Sequence, residues 1–122
     1  MKVLKSLEEV LPFLSKKGIK LAVKELWKGE ERWEFLWEPK RVLEAPFEIA
    51  IANEGTFEES HYHERSWEIY LFLKGGKVLR PVELEIGEGG IVIFEPGECH
   101  LVKHYGPTYV FKFPSGNDKV RC

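Results

Sequence analysis

Residues 55–75, GTFEESHYHERSWEIYLFLKG, hold two of the chain's four histidines, and their spacing is that of a strand. Side chains on an extended backbone alternate in direction, so the rings of His61 and His63 leave the same face and can share one ion. A turn at 64–66 would fold Glu68 back beside them. Glu68, Tyr70 and Phe72 share parity, so an inward Glu68 predicts Tyr70 and Phe72 as pocket wall. The other two histidines lie in residues 96–104, PGECHLVKH. His100 follows the Pro96-Gly97 turn, opens a later strand and is expected to supply a fourth ligand from across the fold. Three neutral imidazoles and one carboxylate suit a divalent Mn, Fe, Co, Ni, Cu or Zn ion, whereas Ca and Mg prefer oxygen. Four protein ligands leave coordination positions open, as a catalytic metal requires.

Outward from this stretch the same period-two alternation recurs. Leu21, Val23 and Trp27 share a face, as do Trp33, Phe35 and Trp37, and again Phe47, Ile49 and Ile51. Further strand-like runs are SWEIYLFLK, KVLRPVELEI, IVIF, CHLVKHY and TYVFKF, separated by glycine- and proline-containing turns. Lys74-Gly75-Gly76-Lys77 between two apolar runs signals a hairpin. Many short strands at close spacing predict an all-β sandwich or barrel. Before them, SLEEVLPFLSKKG has a helical pattern, with Ser6 and Glu9 at capping-box spacing, Leu7, Val10, Leu11 and Leu14 on one face and Gly18 as the stop. Pro12 means either a kinked helix or a short turn before a helix starting near Pro12.

At 122 residues and 43% hydrophobic, the chain is expected to form one domain over residues 1–122, with a helical segment at 1–18 and a barrel core at 46–114. A net charge of −2, with Lys and Arg dispersed among Glu, gives no basic stripe for nucleic acid and no attraction to an anionic membrane. No apolar run is long enough to span a bilayer and the charged start is unlike a signal peptide, so the cytoplasm is the expected location. Cys99 and Cys122 are expected to be free thiols there. Asp118 is the only Asp, Gln is absent, and Glu and Lys are abundant, a usage like that of thermophile proteins.

The first stretch also resembles the first cupin motif at every position: Gly55, five residues, His61-x-His63, four residues, Glu68, six residues, Gly75. Gly89-GIVIF-Glu95-Pro96-Gly97-EC-His100-LVK-His104 resembles the second, with Glu95 where the pattern has Pro and His104 where it has Asn. The resemblance implies a cupin double-stranded β-helix, a jelly-roll-like barrel, with one divalent transition metal on His61, His63, Glu68 and His100. It also implies a small-molecule ligand or substrate. Members include oxygenases, isomerases, epimerases, decarboxylases and proteins without known catalysis. A mononuclear-metal, dioxygenase-like oxidoreductase is the leading expectation, because Tyr70, Phe72 and Val102 predict a partly apolar pocket. A metal-dependent isomerase or lyase of a sugar or keto acid is the alternative, and a non-catalytic binding protein the third. His104 shares parity with His100 but lies two strand repeats away, too far to share its ion easily. It is expected to be a surface or hydrogen-bonded residue, with a catalytic acid/base role in the pocket as the alternative. An exposed sheet edge and the Trp33/Phe35/Trp37 face suggest a homodimer.

Overall fold

The computed structural model describes residues 1–17, 20–27, 30–38, 48–56, 58–114 and 116–122, with side chains at these positions apart from 7, 11, 20–27, 30–38, 48 and 49. The strands are β1 (Lys2–Leu4), β2 (Lys20–Trp27), β3 (Glu30–Glu38), β4 (Glu48–Ala52), β5 (His61–His63), β6 (Trp67–Phe72), β7 (Gly76–Arg80), β8 (Leu84–Ile86), β9 (Gly90–Phe94), β10 (Leu101–His104), β11 (Thr108–Phe113) and β12 (Lys119–Arg121). A single turn of 3-10 helix (Leu7–Glu9) runs into helix α1 (Val10–Lys16). The all-β expectation therefore holds, with one short helix.

The chain divides into two compact units, Met1–Ser6 with Pro46–Cys122, and Leu7–Ala45. In the second unit β2 and β3 pair antiparallel, and α1 lies against β2. Pro12 falls in the first turn of α1, where its missing N–H has no helical partner to lose. This is the second of the two arrangements the proline allowed. The helix starts on Glu9 without a side-chain cap, so the Ser6/Glu9 capping box does not open α1. Gly18 and Phe47, and the side chains of Leu21, Val23, Trp27, Trp33, Phe35, Trp37 and Ile49, lie outside the described residues.

In the first unit an antiparallel five-stranded sheet, in the order β1-β9-β6-β11-β4, shares a core with a three-stranded sheet, β10-β7-β8. Tyr70, Phe72, Val92, Phe94 and Val110 from the larger sheet meet Val78, Ile86 and Val102 from the smaller. IVIF, an uninterrupted apolar run, becomes β9, whose Ile91, Val92, Ile93 and Phe94 are buried on both faces. Ile51 on the sheet-edge strand β4 is instead 59% exposed, beside the exposed Tyr109 of β11.

The Lys74–Lys77 turn forms but does not make a hairpin. β6 pairs with β9 and β11, whereas β7 pairs with β8 and β10. The turn is a corner between sheets. Gly75 adopts φ +80°, and a Cβ on Gly76 would lie 2.4 Å from the Lys103 carbonyl oxygen and 2.6 Å from the Phe72 ring. Turn chemistry specified the reversal but not the partner strand.

Cys99 and Cys122 are joined in a disulfide, which corrects the free-thiol expectation. The cause is long-range pairing. β12 pairs with β5, and the Cys122 N–H donates to the Ser60 carbonyl. His61 in turn bridges His100, so both cysteines sit beside the same bridge. The bond closes a 23-residue separation, which in the chain-entropy view restricts the unfolded state by about 3 kcal/mol. The double substitution Cys99→Ser/Cys122→Ser is expected to lower unfolding stability by about that amount in chemical denaturation. Equal midpoints for the oxidised protein and the variant would contradict it. Among the described residues no helix is long and apolar enough to cross a membrane.

Candidate metal centre

β5 is only three residues long, but its alternation turns His61 and His63 inward together, and both are buried. A bend at 64–65 reverses the chain into β6, where Glu68 lies opposite Phe94 of β9 and Lys112 of β11. His100 comes from a distant stretch of sequence but lies directly beside β5, as its backbone neighbour and not across the fold. Its backbone exchanges two hydrogen bonds with His61, at 3.1 and 2.8 Å, just before β10 begins. The four residues predicted as ligands thus converge on one buried point.

Glu68 Oε1 lies 2.9 Å from His100 Nε2, 3.0 Å from His63 Nε2 and 3.9 Å from His61 Nε2. One donor atom from each of the four falls within 4.8 Å of all the others. Metal bonds of about 2.0–2.2 Å place neighbouring ligand atoms roughly 3–3.5 Å apart and opposite ones about 4.2 Å apart. The donor set could therefore hold one transition-metal ion, and all four residues are buried.

The outer nitrogens carry the strongest sign of purpose. His61 Nδ1 donates to the Glu59 carbonyl at 2.6 Å, and His100 Nδ1 donates to the Glu98 carbonyl at 2.9 Å. His63 Nδ1 donates to Asp118 Oδ1 at 2.9 Å. All three partners are acceptors, so each Nδ1 carries a hydrogen and each Nε2 faces inward, where it becomes a metal ligand on losing any proton it holds.

Asp118 was not legible as part of this site. It exposes only 6% of its surface and anchors the whole β5–β6 turn. Besides His63, it accepts from the Arg65 N–H, the Ser66 N–H and the Ser66 hydroxyl, each at 2.9 Å, and it pairs with Lys112 at 3.1 Å. Its being the sole Asp in a Glu-rich chain was the available signal. The shorter side chain brings a carboxylate close to the backbone of residues 65–66.

Burial opposes charge on Glu68, but hydrogen bonds from His100 and His63 outweigh it and hold the carboxyl at about 2. Burial likewise opposes the Asp118 charge, and its four donors and Lys112 more than reverse that, leaving it far below the usual carboxylate range. Burial lowers the His61 pKa, so that ring is neutral at pH 7. For His63, burial also disfavours the cation, but the Glu68 hydrogen bond prevails and raises the pKa above its ordinary value. A metal taking the His63 Nε2 must therefore displace a proton near neutral pH. Affinity for Zn²⁺ is expected to rise about tenfold per pH unit for each proton displaced, then level off above the histidine range. Calorimetric titrations between about pH 6 and 8 in two buffers of different ionisation enthalpy check this. Affinity falling with pH contradicts it.

Tyr70, Phe72 and Val102 are all buried inward, as their parity predicted, and pack in the core beside the cluster. The Tyr70 hydroxyl lies 3.5 Å from both Glu68 Oε2 and His100 Nε2, and burial pushes its pKa well up. Phe94 stacks on the His100 ring, with centroids 4.2 Å apart. His104 is buried, not at the surface, and hydrogen-bonds through Nδ1 to Thr108 Oγ1 at 2.8 Å. It is not among the four converging residues. Compared with known proteins, the chain matches no family model and no curated sequence.

Proposed function

We propose that the chain is a metal-dependent cupin, a double-stranded β-helix in which His61, His63, Glu68 and His100 hold one divalent transition metal, and that it is a dioxygenase-like oxidoreductase of a small molecule. The observation that carries the metal is the set of three Nδ1 hydrogen bonds, which turn three Nε2 atoms toward one point beside Glu68. The fold assignment is supported by both motif spacings and by antiparallel sheets sharing one core. A bound Fe or Mn ion supplies redox and Lewis-acid chemistry at its open positions. The chain's own residues do the rest. Asp118 and the two backbone carbonyls hold the rings rigid, and Glu68 stays ionised. Phe72, Phe94 and Val102 make the interior apolar, which favours a weakly polar ring over a highly charged substrate. The test is oxygen consumption by Fe- and Mn-loaded protein with a panel of small aromatic substrates. Substrate-dependent uptake supports the reading, and turnover that proceeds equally without O₂ removes it.

A second reading, an isomerase or lyase, is favoured by the buried His104, whose free ring nitrogen can take a proton. Solvent deuterium entering a keto-acid substrate with wild-type protein, and not with His104→Ala retaining its metal, supports that reading. No exchange with either protein sinks it.

A further inference from the structure

Among the described residues, His104 Nε2 is a buried side-chain nitrogen with no hydrogen-bond partner. Buried polar groups in folded proteins are paired almost without exception, so such a nitrogen marks a place kept for something else. Its setting says what. His104 lies on β10 opposite Gly76, with its ring parallel to Tyr70 (3° between planes, centroids 6.3 Å apart) and 5.7 Å from the Phe72 ring. Tyr70 meets the four-residue cluster at its hydroxyl end and His104 at its ring. Tyr70 thus spans the interval between the cluster and His104.

The chemistry of the missing partner follows from its surroundings. Burial lowers the His104 pKa, so the imidazole is neutral. Tyr70, Phe72 and Val102 supply no positive charge, while the Glu58 carboxylate acts electrostatically on both Tyr70 and His104. These neighbours therefore offer an anionic group no counter-charge. A hydroxyl fits both tautomers. If Nδ1 donates to Thr108 Oγ1, Nε2 accepts; if the Thr108 hydroxyl donates, Nε2–H donates.

We propose that His104 Nε2 is a second anchor of the ligand site, hydrogen-bonding a neutral hydroxyl on a small molecule whose other end occupies the metal on His61, His63, Glu68 and His100. This rests on the metal-site reading and names the substrate class, a hydroxylated small molecule uncharged at its far end. Thr108 is a positioning residue that holds the ring.

Zn²⁺-loaded protein is titrated with matched pairs of carboxylates that differ by a terminal hydroxyl: benzoate and 4-hydroxybenzoate, propanoate and 3-hydroxypropanoate, butanoate and 4-hydroxybutanoate. In at least one pair the hydroxylated member is expected to bind roughly tenfold or more tightly. It is also expected to move the ¹⁵N resonance of His104 Nε2. His104→Phe, which keeps a flat ring, is expected to erase the preference while leaving Zn²⁺ affinity within about twofold. Pairs that bind alike, or none that binds, overturn the proposal and assign the nitrogen to a water. A preference that survives in His104→Phe also overturns it. Should that variant not fold, a wild-type resonance unmoved by every hydroxylated probe overturns it instead. Failure to bind Zn²⁺ at all removes the metal reading itself, which separates the two failures.

Discussion

Glu68→Gln is expected to cost the protein roughly 100-fold or more in affinity for Zn²⁺ or Mn²⁺. Four-ligand sites are worth about 10–16 kcal/mol in all, so one ligand carries about 3 kcal/mol, or about two powers of ten. The carboxylate is also the only negative charge among the four donors. The same substitution has a second signature in the metal-free protein. Glu68 ionises at about 2 in the fold against an ordinary 4.5, so its contribution is fully present above about pH 4.5 and is lost as pH falls toward 2. A depression of that size corresponds to roughly 3 kcal/mol at neutral pH. Wild-type metal-free protein is therefore expected to lose stability through this window, and Glu68→Gln to lose less of it. Equilibrium denaturation at several pH values, alongside metal titration, measures both effects. Unchanged metal affinity in Glu68→Gln would remove it from the ligand set.

Asp118→Asn is expected to lower metal affinity by about 10–100-fold although the residue makes no contact with the ion. Asn offers one carbonyl oxygen where Asp118 uses two, and its amide hydrogens face the N–H donors of Arg65 and Ser66. It can satisfy either His63 or the turn, not both. Hydrogen bonds to charged groups contribute about 1.5–3 kcal/mol each, so unfolding stability is expected to fall by about 3 kcal/mol or more. A purely structural role would lower stability alone. A positioning role also lowers the His63 pKa, because the Asp118 hydrogen bond is among the interactions that raise it. Histidine titration by NMR in the metal-free variant separates the two, and a His63 pKa equal to that of wild type would leave Asp118 as a structural residue only.

What the sequence could and could not reveal follows the range of each interaction. The strand period placed His61 and His63 on one face, and the short reversal after them brought Glu68 back, because both depend on neighbours in the chain. The parity of Tyr70, Phe72 and Val102 was legible for the same reason. β12 was not. Its pairing of Lys119 with His63 spans more than fifty residues, and KVR carries too weak a pattern to be seen as a strand. Asp118 and the disulfide depend on that same pairing, so all three were missed together. His104 shows the opposite limit. Alternation gave its face correctly, but whether that face was wet or dry depends on packing by Tyr70 and Phe72. Likewise the Gly75-Gly76 turn was local and visible, while the choice of β10 over β6 as the partner of β7 was set by the packing of two sheets.

Whether one metal ion sits on three Nε2 atoms and one carboxylate oxygen is decided by anomalous X-ray diffraction from crystals of untagged protein prepared without chelator. A single anomalous peak is expected about 2.0–2.3 Å from Nε2 of His61, His63 and His100 and from a carboxylate oxygen of Glu68, with at least one further position open. Diffraction showing the four side chains closed on one another with no peak between them, or a peak held by other residues, would contradict it.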